Sequence, residues 1–166
     1  MHQVVGITKA YTTRVGSGPF PTEGNEHDGQ ELRNRGVEFG ATTGRPRRCG
    51  WFDGPAIRYS AMINGVDSIV VTKVDVLDSF AEIPVCVDYR YKGSTLKEFP
   101  PDVNVLAKVE PVYKSVRGWN TSIAATREWS ELPVAAQDYL KFLSDIAGAP
   151  ISMVSTGSDR DETIHL

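Results

Sequence analysis

SIVVTKVDVLD, residues 68–78, opens with a short, continuous run of mostly β-branched residues and turns polar at its end. Ser68 to Thr72 predicts a strand buried on both faces, the pattern of a mostly parallel sheet. Lys73, Val74 and Asp75 then fall just beyond its carboxyl end, where open α/β sheets bind ligands. A carboxylate there can accept two hydrogen bonds from the N1–H and 2-amino group of guanine, a donor pair that adenine lacks. A lysine two residues earlier can lay its alkyl stem over the base and keep its ammonium hydrated. Lysine and aspartate also end strands for solubility alone, so both readings stay open on this stretch.

Working outward, Pro55 to Asn64 predicts a helix, with Pro55 in the first turn, Ala56, Tyr59 and Ile63 on one side, and Gly65 ending it. Val4 to Thr12 reads as one strand. The segment after it, RVGSGPFPTEGNEHDGQ (14–30), holds too many Gly and Pro residues to continue that strand and predicts a long loop. Downstream, Val85 to Tyr91 reads as a strand that Lys92-Gly93-Ser94 returns through Thr95 to Phe99 as a hairpin, before Pro100 and Pro101 stop it. Val109 to Val116 is extended. Pro133 to Ala147 predicts a helix with Ala136, Tyr139, Leu140, Leu143 and Ala147 as its buried stripe and Gly148 after its end. Ile151 to Val154 gives one more strand, so strands and helices mix as in α/β proteins.

The bulk numbers fit this. The chain has 166 residues, 40% hydrophobic and 23% charged, enough for one packed domain. A net charge of −3 gives no general attraction to nucleic acid or anionic membrane. No apolar run approaches the roughly 18 residues of a membrane span, and MHQVVGITKAY lacks the plan of a signal peptide, so a cytoplasmic protein is expected. Cys49 and Cys86 stand in no ligand spacing and read as free thiols, Cys86 as a buried one. His2, His27 and His165 have no partner motif, and no metal site is expected.

Two further segments carry chemistry. EFGATTGRPRRCGW, residues 38–51, places three arginines within four residues beside glycines and threonines. Guanidinium forks, hydroxyls and accessible backbone N–H groups together suit a small polyanion. A solvated basic loop or a nucleic-acid patch is the competing reading, and the acidic chain weighs against an extended phosphate track. Ser155-Thr156-Gly157-Ser158-Asp159-Arg160 follows a strand, so its hydroxyls and glycine can meet a ligand at the same sheet edge as Lys73 and Asp75. By itself it is an ordinary turn.

Taken in order, YTTRVGSGPFPTE, EFGATTGRPRRCGW, TKVDVLD and STGSDRDETI resemble adenylosuccinate synthetase over essentially the whole chain. The resemblance implies a mixed α/β chain, part of that family's mostly parallel-sheet, P-loop-NTPase-like fold, with a β-hairpin region and a loop-rich N-terminal third. It implies one C-terminal segment over 1–166, with substrate-binding loops at 12–50 and a guanine-binding α/β portion at 51–166. The family joins L-aspartate to IMP at the expense of GTP, with Mg2+, through a 6-phosphoryl-IMP intermediate, as a cytoplasmic homodimer. On that resemblance Lys73, Val74 and Asp75 read guanine, and Ser155, Thr156 and Gly157 line the same pocket. Ala41, Thr42, Thr43, Gly44, Arg45, Pro46 and Arg47 form the loop that closes over aspartate, Thr43 and Arg45 near its carboxylates. Arg45 also touches the IMP side, Val15 matches a position at the IMP ribose, and Arg47 reaches toward GTP phosphates and stabilises charge during transfer.

Pro46, Cys49 and Ser158 depart from the family's usual arginine, threonine and proline, which points to altered loop stiffness more than lost binding. The family's glycine-rich phosphate loop, catalytic Asp, magnesium positions and catalytic His have no counterpart in these residues. The segment is therefore expected to be inactive alone and to need the enzyme's N-terminal half. A non-catalytic guanine-nucleotide-binding module is the alternative.

Overall fold

The computed structural model describes residues 3–166, so His2 lies outside it. The chain opens with β1 (Val5–Lys9) and β2 (Thr12–Arg14), followed by α1 (Glu26–Arg35), β3 (Arg48–Gly50) and β4 (Phe52–Asp53). Next come α2 (Gly54–Asn64), β5 (Ser68–Thr72), a 3-10 turn at Val74–Leu77, β6 (Glu82–Tyr91), β7 (Ser94–Thr95) and α3 (Val103–Leu106). The last elements are β8 (Glu110–Arg117), α4 (Val134–Ala147), β9 (Ile151–Ser155) and β10 (Thr163–His165). Among the described residues no helix is long and apolar enough to cross a membrane.

β5 is the spine. It pairs in parallel with β1 on one side and β9 on the other, and β10 adds an antiparallel edge to β9. Parallel pairing brings all three carboxyl ends to the same side, with Lys9 opposite Thr72 and Val71 opposite Val154. Chemistry-bearing residues that follow β1, β5 and β9 thus line up along one edge. A second sheet is built on β6, which pairs antiparallel with β8 and β7 and in parallel with β4. β2 and β3 form a small antiparallel pair between them in sequence.

α4 carries the largest share of the core. Tyr139, Leu140 and Leu143 are fully buried with Ala136 and Ala147, each large side chain contributing about 1.5–3 kcal/mol of apolar burial. The Tyr139 hydroxyl donates to the Ala10 carbonyl at 2.5 Å, tying the helix to the end of β1. Asp53 caps α2 by accepting from the Ala56 N–H at 3.2 Å, and its buried carboxylate also accepts from the Tyr89 hydroxyl at 2.6 Å and Thr22 Oγ1 at 3.2 Å. Burial pushes that carboxyl above the ordinary range, against these three bonds.

Four local expectations change. The single strand over Val4 to Thr12 is two strands in different sheets, because Ala10 and Tyr11 turn into the core. The loop over 14–30 ends in helix α1, whose Asn25 cap, acidic first turn and basic last turn outweigh a glycine at 29. α2 turns Ile57 toward the core and leaves Ile63 60% exposed, so the face expected for it is rotated. The return of the hairpin after Tyr91 is a strand over Ser94 and Thr95 alone among the residues expected in it, followed by one more backbone bond from the Leu96 N–H to the Tyr89 carbonyl at 2.9 Å.

Candidate functional site

The anion loop stands on a narrow stem. Arg47 N–H donates to the Glu38 carbonyl at 2.9 Å, Gly40 N–H to the Arg45 carbonyl at 2.8 Å, and Gly44 N–H to the Gly40 carbonyl at 2.8 Å. Gly44 sits at φ 64°, where a Cβ would be strained, so the turn depends on glycine. Val15, Gly16, Thr43, Gly44, Arg45, Pro46 and Arg47 line one open cleft of about 1140 Å³. Ala41 and Thr42 are exposed in the same turn.

The three arginines divide their work. Arg48 donates to Glu23 through Nε at 2.8 Å and Nη2 at 2.5 Å, and its Nη1 holds the Gly16 and Gly18 carbonyls at 3.2 and 2.9 Å. It fixes the loop that carries Val15, and it lines the cleft with its guanidinium already engaged. Arg47 gives Nη1 to Glu38 at 2.8 Å. Arg45 is exposed, and its guanidinium makes no hydrogen bond among the described residues.

At the end of β5, Lys73 adopts a left-handed backbone, φ 59°, that breaks the strand and starts the 3-10 turn. Its ammonium donates to the Gly36 carbonyl at 2.6 Å, so the side chain runs along the site toward the anion loop's stem. Val74 is fully buried. The Asp75 Oδ1 atom is buried without a hydrogen-bond partner. Burial, with the like charges of Asp78 and Glu162, pushes the Asp75 carboxyl up in spite of Lys73. A buried carboxylate oxygen left unsatisfied costs roughly 1–3 kcal/mol or more, and such groups call for an explanation.

After β9, the Ser155 hydroxyl donates to the Gly157 carbonyl at 2.7 Å, shaping its own turn. Thr156 is fully buried and its hydroxyl lies 3.1 Å from the Thr126 carbonyl, so this side chain faces inward. A Cβ at Gly157 would collide with the Glu162 carboxylate. That carboxylate is held by the Asp159 N–H at 2.9 Å and stands 3.6 Å from Arg127 Nη2. No group of three or more His, Cys, Asp or Glu residues among those described could hold a metal ion.

The residues singled out in the sequence therefore fall into an open, arginine-lined cleft and the edge beyond β5 and β9. What sequence reasoning missed is the group between them. Glu38 opens the EFGATTG block as a lone acid before a cationic loop, which was the available signal.

A family model described as Adenylosuccinate synthetase matches residues 1–164. The chain is 55% identical over 161 residues to the Adenylosuccinate synthetase of Solibacter usitatus, covering 97% of this chain and 37% of that protein. It is 51% identical over 162 residues to that of Aquifex aeolicus, covering 98% and 38%. A solved structure, that of fully ligated Adenylosuccinate synthetase from Plasmodium falciparum, superposes with a TM-score of 0.96 at 40% identity. That match covers 100% of this chain and 40% of the other. The chain thus spans under two fifths of the length of these curated relatives.

Proposed function

The chain belongs to the adenylosuccinate synthetase family, and from that premise we propose that it is the guanine- and substrate-recognition part of a GTP-dependent ligase of purine biosynthesis. The reaction joins aspartate to IMP and gives adenylosuccinate, GDP and phosphate. Residues 12–50 carry the aspartate and IMP loops and 51–166 the guanine-binding portion. Asp75 reads the N1–H and 2-amino donors of guanine, Lys73 covers the base, and the turn at Ser155 to Gly157 closes the pocket with its backbone. Arg45 and Thr43, with Gly44 and the exposed Ala41 and Thr42, take the aspartate carboxylates. Val15 meets the IMP ribose, and Arg47 directs charge at the transferring phosphate.

The single observation that carries this reading is the unpartnered, buried Asp75 Oδ1 at the carboxyl end of β5. It is an acceptor waiting for a donor, and guanine brings two. On this reading the chain's part is recognition and orientation. Phosphoryl transfer needs the enzyme's other half, in a cytoplasmic homodimer.

Calorimetry with GDP and ADP tests the proposal. The protein is expected to bind GDP over ADP, and Asp75→Asn to weaken GDP binding about 10- to 150-fold, the effect of losing a charge-assisted hydrogen-bond pair. Equal affinities for the two nucleotides would refute it.

A further inference from the structure

Glu38 is a fully buried acid that carries a charge. Burial alone opposes ionisation, and hydrogen bonds from Lys9, Tyr11 and Arg47 outweigh it, holding the carboxyl below its ordinary range. Its Oε1 accepts from Lys9 Nζ at 2.8 Å and from the Tyr11 hydroxyl at 2.6 Å, and lies 4.0 Å from Lys73 Nζ. Its Oε2 accepts from Arg47 Nη1 at 2.8 Å. One carboxylate is therefore shared by the ends of β1 and β5 and by the stem of the anion loop.

The backbone around it is strained. Val37, next to the acid, sits at φ 50°, and Lys73 across from it at φ 59°. A left-handed conformation is costly for a residue with a Cβ, most of all a β-branched one, and persists only where the surroundings over-determine it. Of its guanidinium, Arg47 spends only Nη1 on Glu38 and keeps Nε and Nη2 without a hydrogen bond among the described residues. Its side chain is one third exposed, on the cleft.

We infer that Glu38 is a positioning residue that couples the anion cleft to the guanine-side edge. Oε2 sets the direction in which Arg47 presents its free donors, and Oε1 draws the ammonium of Lys73 along the base site. A charge change at either cation is felt by the other through the shared carboxylate. The identity of the two ligands rests on the proposed function; the coupling rests on this geometry.

The test is nitrogen-15 NMR of the Arg47 guanidinium and the Lys73 ammonium in the wild type, E38Q, E38D, R47Q and the E38Q/R47Q double variant. E38Q is expected to lower the Arg47 Nε order parameter from the rigid range near about 0.85 to below about 0.6. E38D, which keeps the charge, is expected to restore part of that order. R47Q is expected to shift the Lys73 signal in the wild-type background and to leave it unshifted once E38Q is present. A merely structural acid would alter melting without this dependence. An R47Q shift that is absent, or equal in both backgrounds, would overturn the inference. Should E38Q not fold, the R47Q shift in the wild-type background decides alone, its presence supporting the coupling and its absence refuting it. Nucleotide binding enters neither signal, so failure to bind GDP strikes the proposed function and leaves the coupling untouched.

Discussion

Asp75, the proposed guanine acceptor, is buried with its Oδ1 unsatisfied. Its carboxyl is pushed up by burial, so the folded state favours the proton in a pH range where the unfolded chain has lost it. Stability linked to this group is present below the ordinary carboxylate range and is lost as pH rises through the raised folded value. Removing the charge should therefore help the empty protein: Asp75→Asn is expected to raise the melting temperature at neutral pH. Binding runs the other way, because only the ionised form accepts both guanine donors. GDP affinity should fall as pH is lowered through that raised value, by at most about tenfold per unit, and Asp75→Asn should flatten the profile. Titration calorimetry across pH reads both, and a pH-independent wild type would contradict the assignment. Asp75 was legible in the sequence because it follows a run like SIVVT. Glu38 was not, because its partners Lys9, Arg47 and Lys73 are far apart in the chain and meet only when parallel strands align their ends.

At the scale of elements, α4 and β5 were legible almost residue by residue, since apolar periodicity and Gly148 leave few alternatives. Gly148 closes α4 at φ 69°, and Gly148→Ala should cost about 1 kcal/mol, seen as a lower denaturant midpoint with unchanged slope. α1 was harder to see, because its ten residues form a polar helix with a buried glycine. Its stability comes from its cap, its end charges and its packing on β3, where the buried Gly29 lies beside the Cys49 carbonyl. The break between β1 and β2 was equally hidden. It follows from Tyr11, whose hydroxyl seeks the buried Glu38 and pulls the chain out of the first sheet. Propensity favours a continuous strand there, and a long-range hydrogen bond decides otherwise.

For the whole molecule, the exposed apolar side chains are unevenly placed. Ile7 is 77% exposed on β1, which among the described residues pairs only with β5, and Met62 is 69% exposed near the end of α2. An open strand edge with apolar side chains is a template for pairing. The protein by itself should associate with rising concentration, and Ile7→Lys should reduce that association in sedimentation velocity without changing GDP binding. Trp119 gives the same molecule an optical consequence. Its indole N–H donates to Asp78 Oδ1 at 2.7 Å, and the Asp78 N–H in turn meets the Asp75 carbonyl at 3.2 Å across the 3-10 turn. An indole hydrogen-bonded to that turn senses any field change at Asp75. With Trp51 and Trp129 replaced by phenylalanine, emission from the remaining tryptophan should shift on adding GDP and stay still on adding ADP. On the proposed reading, the turn that meets guanine would carry its own fluorescent gauge, and binding could be followed without a label.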